Sequence, residues 1–129
     1  MSSQPVVLDA SALLAMLNDE PGGDHVVTVL PVAMISTVNL SEVVAKLAEH
    51  GMPEPLIQSA LEGLGLRVID FDRAMAYRSG MLRPLTKTLG LSLGDRACIA
   101  LGMQRDTAVV TADRAWAELD LGIDVRVIR

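Results

Sequence analysis

The sequence predicts an α/β fold in three layers, α/β/α, with a central parallel sheet covered by helices on both faces. Three observations carry that expectation. Short β-branched runs alternate with helical segments along the whole chain, the order that builds parallel sheets joined by crossover helices. The apolar half of the residues is Ala, Val, Leu, Ile and Met, with one Phe, one Tyr and one Trp, which suits strands buried on both faces. The chain has 129 residues, a length for one domain that buries roughly two-thirds of its unfolded surface without a disulfide or structural metal.

After a polar tail at residues 1–4, Val6, Val7 and Leu8 form a first strand that runs into Asp9. A short helix over residues 11–18 stops at Asp19-Glu20-Pro21-Gly22-Gly23, a strong turn signal. Asp24 caps a helical segment that Pro31 ends, and residues 32–35 are a second strand. Leu40, Val43, Val44, Leu47 and Ala48 then recur at the spacing of a helix with one buried face. Asn39, three residues before Glu42, resembles a capping box at its start. Gly51 closes that helix, and Pro53 and Pro55 open the next, which presents Leu56, Ile57, Ala60, Leu61 and Leu64 on one side. Residues 67–71 are a third strand. Residues 72–89 form a long helical region bent at Pro84, where the ring breaks the hydrogen-bond ladder. Residues 92–104 are an almost wholly apolar helix, residues 108–111 a fourth strand and residues 113–119 a short helix. Residues 123–129 alternate Val125 and Val127 with Arg126 and Arg129, as an edge strand does.

Composition excludes several classes. A lone cysteine, Cys98, rules out an intrachain disulfide framework and a Cys-rich zinc site. It falls in an apolar helix and reads as a small core residue. No basic and apolar leader opens the chain, and Asp9, Asp19 and Glu20 interrupt the best apolar run, so a cytoplasmic protein with no membrane partner is expected. So few aromatic residues do not make a base-stacking platform. The net charge of −5 is uneven: residues 1–66 carry eight acids and one base, Lys46, whereas residues 67–129 carry ten bases and eight acids. Generic nucleic-acid binding needs clustered cations, and Arg73, Arg78, Arg83 and Lys87 are either a local basic rim or a solvated helix face.

Four acids stand where strands end or helices begin: Asp9, Glu42, Asp95 and Asp113. Each has a plainer role available. Asp9 and Asp113 suit helix N-caps. Glu42 suits a first helical turn, where the dipole favours an acid, and it lies opposite the apolar stripe of its helix. Asp95 suits a capping box with Ser92, yet it heads the line Cys98, Ile99, Gly102, which brings it close to buried surface. Their joint placement is more specific. In open parallel sheets, ligands bind beyond the carboxyl ends of the strands. Carboxylates gathered there repel one another unless some protonate or a cation joins them. Mg²⁺ and Mn²⁺ prefer such oxygen ligands, and a carboxylate-held metal pair activates water against a phosphodiester.

Val7-Leu8-Asp9-Ala10-Ser11, Asn39-x-x-Glu42, Leu93-Gly94-Asp95-Arg96-Ala97 and Val110-Thr111-Ala112-Asp113 resemble, in order, the motifs of PIN-domain ribonucleases, above all the VapC-type toxins of bacterial toxin–antitoxin pairs. The resemblance spans nearly the whole chain. It implies a PIN-like fold with strand order 3-2-1-4-5 and Mg²⁺ or Mn²⁺ held among the four acids. Asp9 and Asp95 would be primary ligands, Glu42 a third acid that holds metal or orients water, and Asp113 an outer acid. Ser11 and Thr111 would be supporting hydroxyls that orient a ligand or water. It further implies hydrolysis of RNA to 5′-phosphate and 3′-hydroxyl ends, a VapB-like antitoxin as partner, and a homodimer.

Two other enzyme classes share an aspartate after the first strand. Aspartyl-phosphate phosphatases need a second Asp two positions on, where this chain has Ser11. Phospho-receiver domains need an acid pair there and a phosphorylated Asp at the third strand, and Asp70 and Asp72 lack that context. The non-enzymatic alternative is a degenerate PIN-like domain that binds RNA or protein, with its acids serving as caps.

Overall fold

A computed structural model describes residues 4–129. The expected polar tail lies, as far as Ser3, outside the described residues. Strand β1 (Val6–Leu8) is buried throughout. Successive strand side chains point to opposite faces, so Val6 and Leu8 enter one core while Val7 enters a second. Strand β2 (Ala33–Ser36) repeats this, with Ala33 and Ile35 in the first core and Met34 in the second. Helices α1 (Ala10–Leu17), α2 (Gly23–Val29), α3 (Thr37–Glu49) and α4 (Glu54–Glu62) cover the first face through Leu13, Val26, Val43, Leu47, Ile57 and Leu61. Beyond β3 (Arg67–Ile69), helix α5 (Arg73–Met81), a short α6 (Arg83–Thr86) and helix α7 (Leu93–Arg105) lie on the second face. Met75, Cys98, Ile99 and Leu101 pack there against Val109 of β4 (Ala108–Thr111) and the buried Trp116. Strand β5 (Val125–Val127) completes the sheet.

Every strand pairing is parallel, and the order is β3-β2-β1-β4-β5. Both the three-layer class and the implied strand order are therefore observed. The chain leaves β1 toward β2 and β3, then returns to add β4 on the other side of β1. That reversal opens a crevice at the carboxyl ends of β1 and β4, the switch point where open α/β sheets bind ligands. Strands β3 and β5 are edges and carry the most exposed strand residues, including Arg67 and Arg126. Among the described residues no helix is long and apolar enough to cross a membrane.

Two local expectations are corrected. The region 72–89 is not one helix bent at Pro84. Asp72 caps α5, which stops at Met81; α6 follows, then a 3-10 turn, Lys87–Leu89. The break precedes Pro84 because proline needs no hydrogen bond only in a first turn, and it occupies that place in α6. Nor does Asn39 cap α3. Ser36 does so, its Oγ accepting from the Val38 N–H at 3.2 Å. The helix thus starts earlier than its apolar stripe indicates, and Glu42 falls in the second turn rather than the first.

Candidate active site

Asp9 ends β1 and caps α1, so capping and site placement are one arrangement. Its Oδ1 accepts from the Ala12 N–H at 2.8 Å. Ser11 Oγ donates to the carboxylate (2.8 and 2.9 Å to its two oxygens), and Thr111 Oγ1 donates to Oδ2 at 2.5 Å. The hydroxyls have second duties. Ser11 Oγ accepts from the Ala112 N–H at 2.9 Å, and Thr111 Oγ1 accepts from the Asp113 N–H at 3.0 Å. The two supporting hydroxyls thus orient Asp9 itself and tie the start of α1 to the end of β4. Asp9 is 3 % exposed. Burial pushes its carboxyl up from 3.8 to about 6, against the lowering influence of Thr111, Ala12 and Ser11, with the Asp95 charge adding a small rise.

Glu42 is exposed, but its position is set. Asn39 Nδ2 donates to Glu42 Oε1 at 2.9 Å and to the Gly94 carbonyl at 3.0 Å. Asn39 is itself buried, on the same helical line as Val43 and Leu47. Its carboxamide therefore locks α3 to the first turn of α7, one residue before Asp95. Asp95 forms the expected capping box: its Oδ2 accepts from the Ser92 N–H at 2.9 Å while its own N–H donates to Ser92 Oγ at 3.2 Å. Asp113 caps a 3-10 turn, Arg114–Glu118, through the Ala115 N–H at 3.0 Å.

All four acids line one cavity of about 230 Å³, together with Ala10, Ser11, Leu14 and Lys46. Burial pushes the Cys98 thiol well up, and the negative charges of Asp9, Asp95 and Glu42 add to that rise. These three acids thus share one electrostatic neighbourhood, while the exposed Asp113 is at its rim. Among the described residues no three His, Cys, Asp or Glu side chains stand close enough to hold an ion in this arrangement. Each of the four acids accepts a local hydrogen bond through one of its oxygens. The donor set, carboxylate oxygens alone, fits a hard divalent cation rather than zinc or copper.

Residues 6–121 match the PIN domain family. The chain is a PIN domain. No curated protein matches it. The PIN domain is similar in fold to a chain of the DNA-bound VapBC complex of Salmonella typhimurium, with TM-score 0.74 and 20 % identity, covering 98 % of this chain and 99 % of that one. A chain of Rickettsia felis VapBC2 bound to a promoter DNA fragment gives TM-score 0.72 at 17 % identity, over 96 % and 98 %. VapBC-5 of Mycobacterium tuberculosis gives 0.58 at 20 % identity, over 98 % of both chains.

Three residues of this PIN domain have roles at the site that the sequence reading misses: Lys46 lines the cavity, and Asn39 and Gly94 set the place of Glu42. Asn39 is a polar residue on an apolar line, a visible signal. Lys46 follows Glu42 at i+4, the spacing of one helix face. Gly94 gives no sequence signal beyond its place before Asp95. A Cβ built there would collide with the Glu42 carboxylate. Because that collision involves the end of a flexible side chain, Gly94→Ala is expected to melt within a few degrees of the parent yet displace Glu42. Calorimetry should then show Mn²⁺ affinity weakened by about tenfold, the effect of a displaced ligand or of one lost outer-shell partner. Unchanged affinity, or no Mn²⁺ binding in the parent, would show that Glu42 holds no ion.

Proposed function

We propose that this PIN domain is a Mg²⁺- or Mn²⁺-dependent endoribonuclease, the VapC-type toxin of a toxin–antitoxin pair, acting at Asp9, Glu42, Asp95 and Asp113. The observation that carries the reading is the single cavity lined by these four carboxylates at the β1/β4 switch point. Family membership and the VapBC neighbours support it. The ion would sit among the four acids, where it supplies a lowered pKa for bound water and charge stabilisation for the leaving oxygen. The chain's own residues set the conditions. Ser11 and Thr111 hold Asp9 in one orientation, Asn39 holds Glu42, and the capping box holds Asp95. Asp9 must lose its proton to serve as a ligand, and with a pKa of about 6 it has done so at neutral pH.

RNA is the substrate in this reading, a VapB-like antitoxin the partner and a homodimer the assembly, in the cytoplasm. Tyr77, Met81, Leu85 and Met103 line an exposed apolar groove beside α5 and α7, which supports a protein partner on that face. One observation favours a second reading, a PIN domain that binds without cleaving: each acid already serves a local hydrogen bond. The two separate in one assay. Purified protein should cut RNA in Mn²⁺ or Mg²⁺, leave 5′-phosphate ends, and stop in EDTA. Cleavage that persists in EDTA sinks the metal dependence, and no cleavage with either ion sinks the nuclease reading.

A further inference from the structure

The cavity that gathers four acids admits one base. Lys46 is the lone cation among the described residues lining it, and the single base within residues 1–66. It stands on α3 one turn beyond Glu42, so the two side chains rise from the same helix face. Its ammonium has a weak local hold. The nearest acid partner is Glu49 at 3.8 Å, with both side chains about 60 % exposed (60 % and 63 %), and exposed pairs of this kind contribute little. An RNA phosphate approaching this cavity meets like charge from four carboxylates, and the rest of the lining apart from Lys46 is uncharged: Ala10, Ser11 and Leu14. Lysine is suited to that encounter: a compact point charge on a flexible stem, able to leave Glu49 and follow a phosphate oxygen.

We propose that Lys46 is a positioning residue for the substrate: its ammonium takes a non-bridging phosphate oxygen of the RNA strand lying over Asp9, Glu42, Asp95 and Asp113. The assignment rests on the reading of this cavity as a phosphodiester site. A different role is available to the same side chain, as a counter-charge that merely offsets the carboxylates. The two predict different measurements.

The test compares the parent with Lys46→Met, which keeps the stem and loses the charge, and Lys46→Arg, which restores a cation. A single-stranded RNA oligonucleotide is the probe, read by fluorescence anisotropy for binding and by cleavage in Mn²⁺ for kcat and KM. Lys46→Met should weaken RNA binding and raise KM by about tenfold, with kcat within roughly threefold. The slope of log K against log salt should become shallower by about 0.7, one single-strand phosphate contact. Lys46→Arg should recover most of the loss, and Mn²⁺ affinity by calorimetry should stay within about twofold of the parent. Unchanged binding, KM and salt slope with tighter Mn²⁺ binding would overturn the assignment in favour of the counter-charge. If the parent binds RNA through Lys46 but cuts nothing, the assignment stands and the nuclease reading falls. If the parent neither binds nor cuts RNA, both fall.

Discussion

Asp9→Asn is expected to lower RNA cleavage by about 10²–10³-fold, the loss of several kcal/mol of charge stabilisation, while making the protein in EDTA more stable at neutral pH. The two effects have one cause. Asp9 is almost fully buried, and burial raises its pKa from 3.8 to about 6. Folding therefore favours the protonated acid. The stability Asp9 contributes is fully present below about pH 3.8 and is lost as pH rises through about 6. At pH 7 the ionised carboxylate costs about 3 kcal/mol relative to acid pH. Asparagine keeps the shape and the Ala12 cap without the charge. The melting temperatures of parent and Asp9→Asn in EDTA should nearly coincide near pH 4 and separate toward pH 7, the variant higher by up to roughly 10 °C. Saturating Mn²⁺ should stabilise the parent and leave the variant unmoved. A variant no more stable than the parent at pH 7 in EDTA would show that Asp9 does not carry a buried-charge cost.

Thr111→Val should move the pH dependence of the site. Thr111 Oγ1 makes the shortest hydrogen bond to the Asp9 carboxylate and, after burial, has the largest influence on its titration, in the opposing direction. Valine fills the same space without the donor. With a bond favouring the charged form removed, the Asp9 pKa rises above about 6. Less of the carboxylate is then ionised at pH 7, so Mn²⁺ affinity and cleavage should fall by about two- to tenfold and recover as pH rises. The Asp113 N–H also loses its acceptor, so a stability loss of about 1–3 kcal/mol is expected. A parallel drop at every pH, with an unshifted midpoint, would assign Thr111 to packing alone.

Much of this arrangement is legible in the chain. Val6-Val7-Leu8 reads as a short buried strand, which puts the acid that follows it at that strand's carboxyl end. The Ser92 and Asp95 spacing predicts a capping box, and both of its hydrogen bonds form. Other features are not legible because the competing signals are close. Asn39 and Ser36 are both good caps, and the outcome depends on which side chain the packing of α7 recruits; Asn39 is drawn into the Gly94 contact, and Ser36 takes the cap. Pro84 marks a helix break but not its side, which the α6 first turn decides.

Local chemistry along the chain therefore determined the alternation of strands and helices, the aliphatic cores, and the placing of Asp9 after β1, Asp113 after β4 and Asp95 in the first turn of α7. Only the tertiary structure decided that Asp9, Glu42, Asp95 and Asp113 face one cavity, that Ser11 and Thr111 turn toward Asp9, and that Lys46 joins them. The physical reason is distance in sequence. Strand periodicity and capping are short-range and written within a few residues. The meeting of β1 with β4, about a hundred residues apart, depends on strand order, and so does the buried environment that raises the Asp9 pKa.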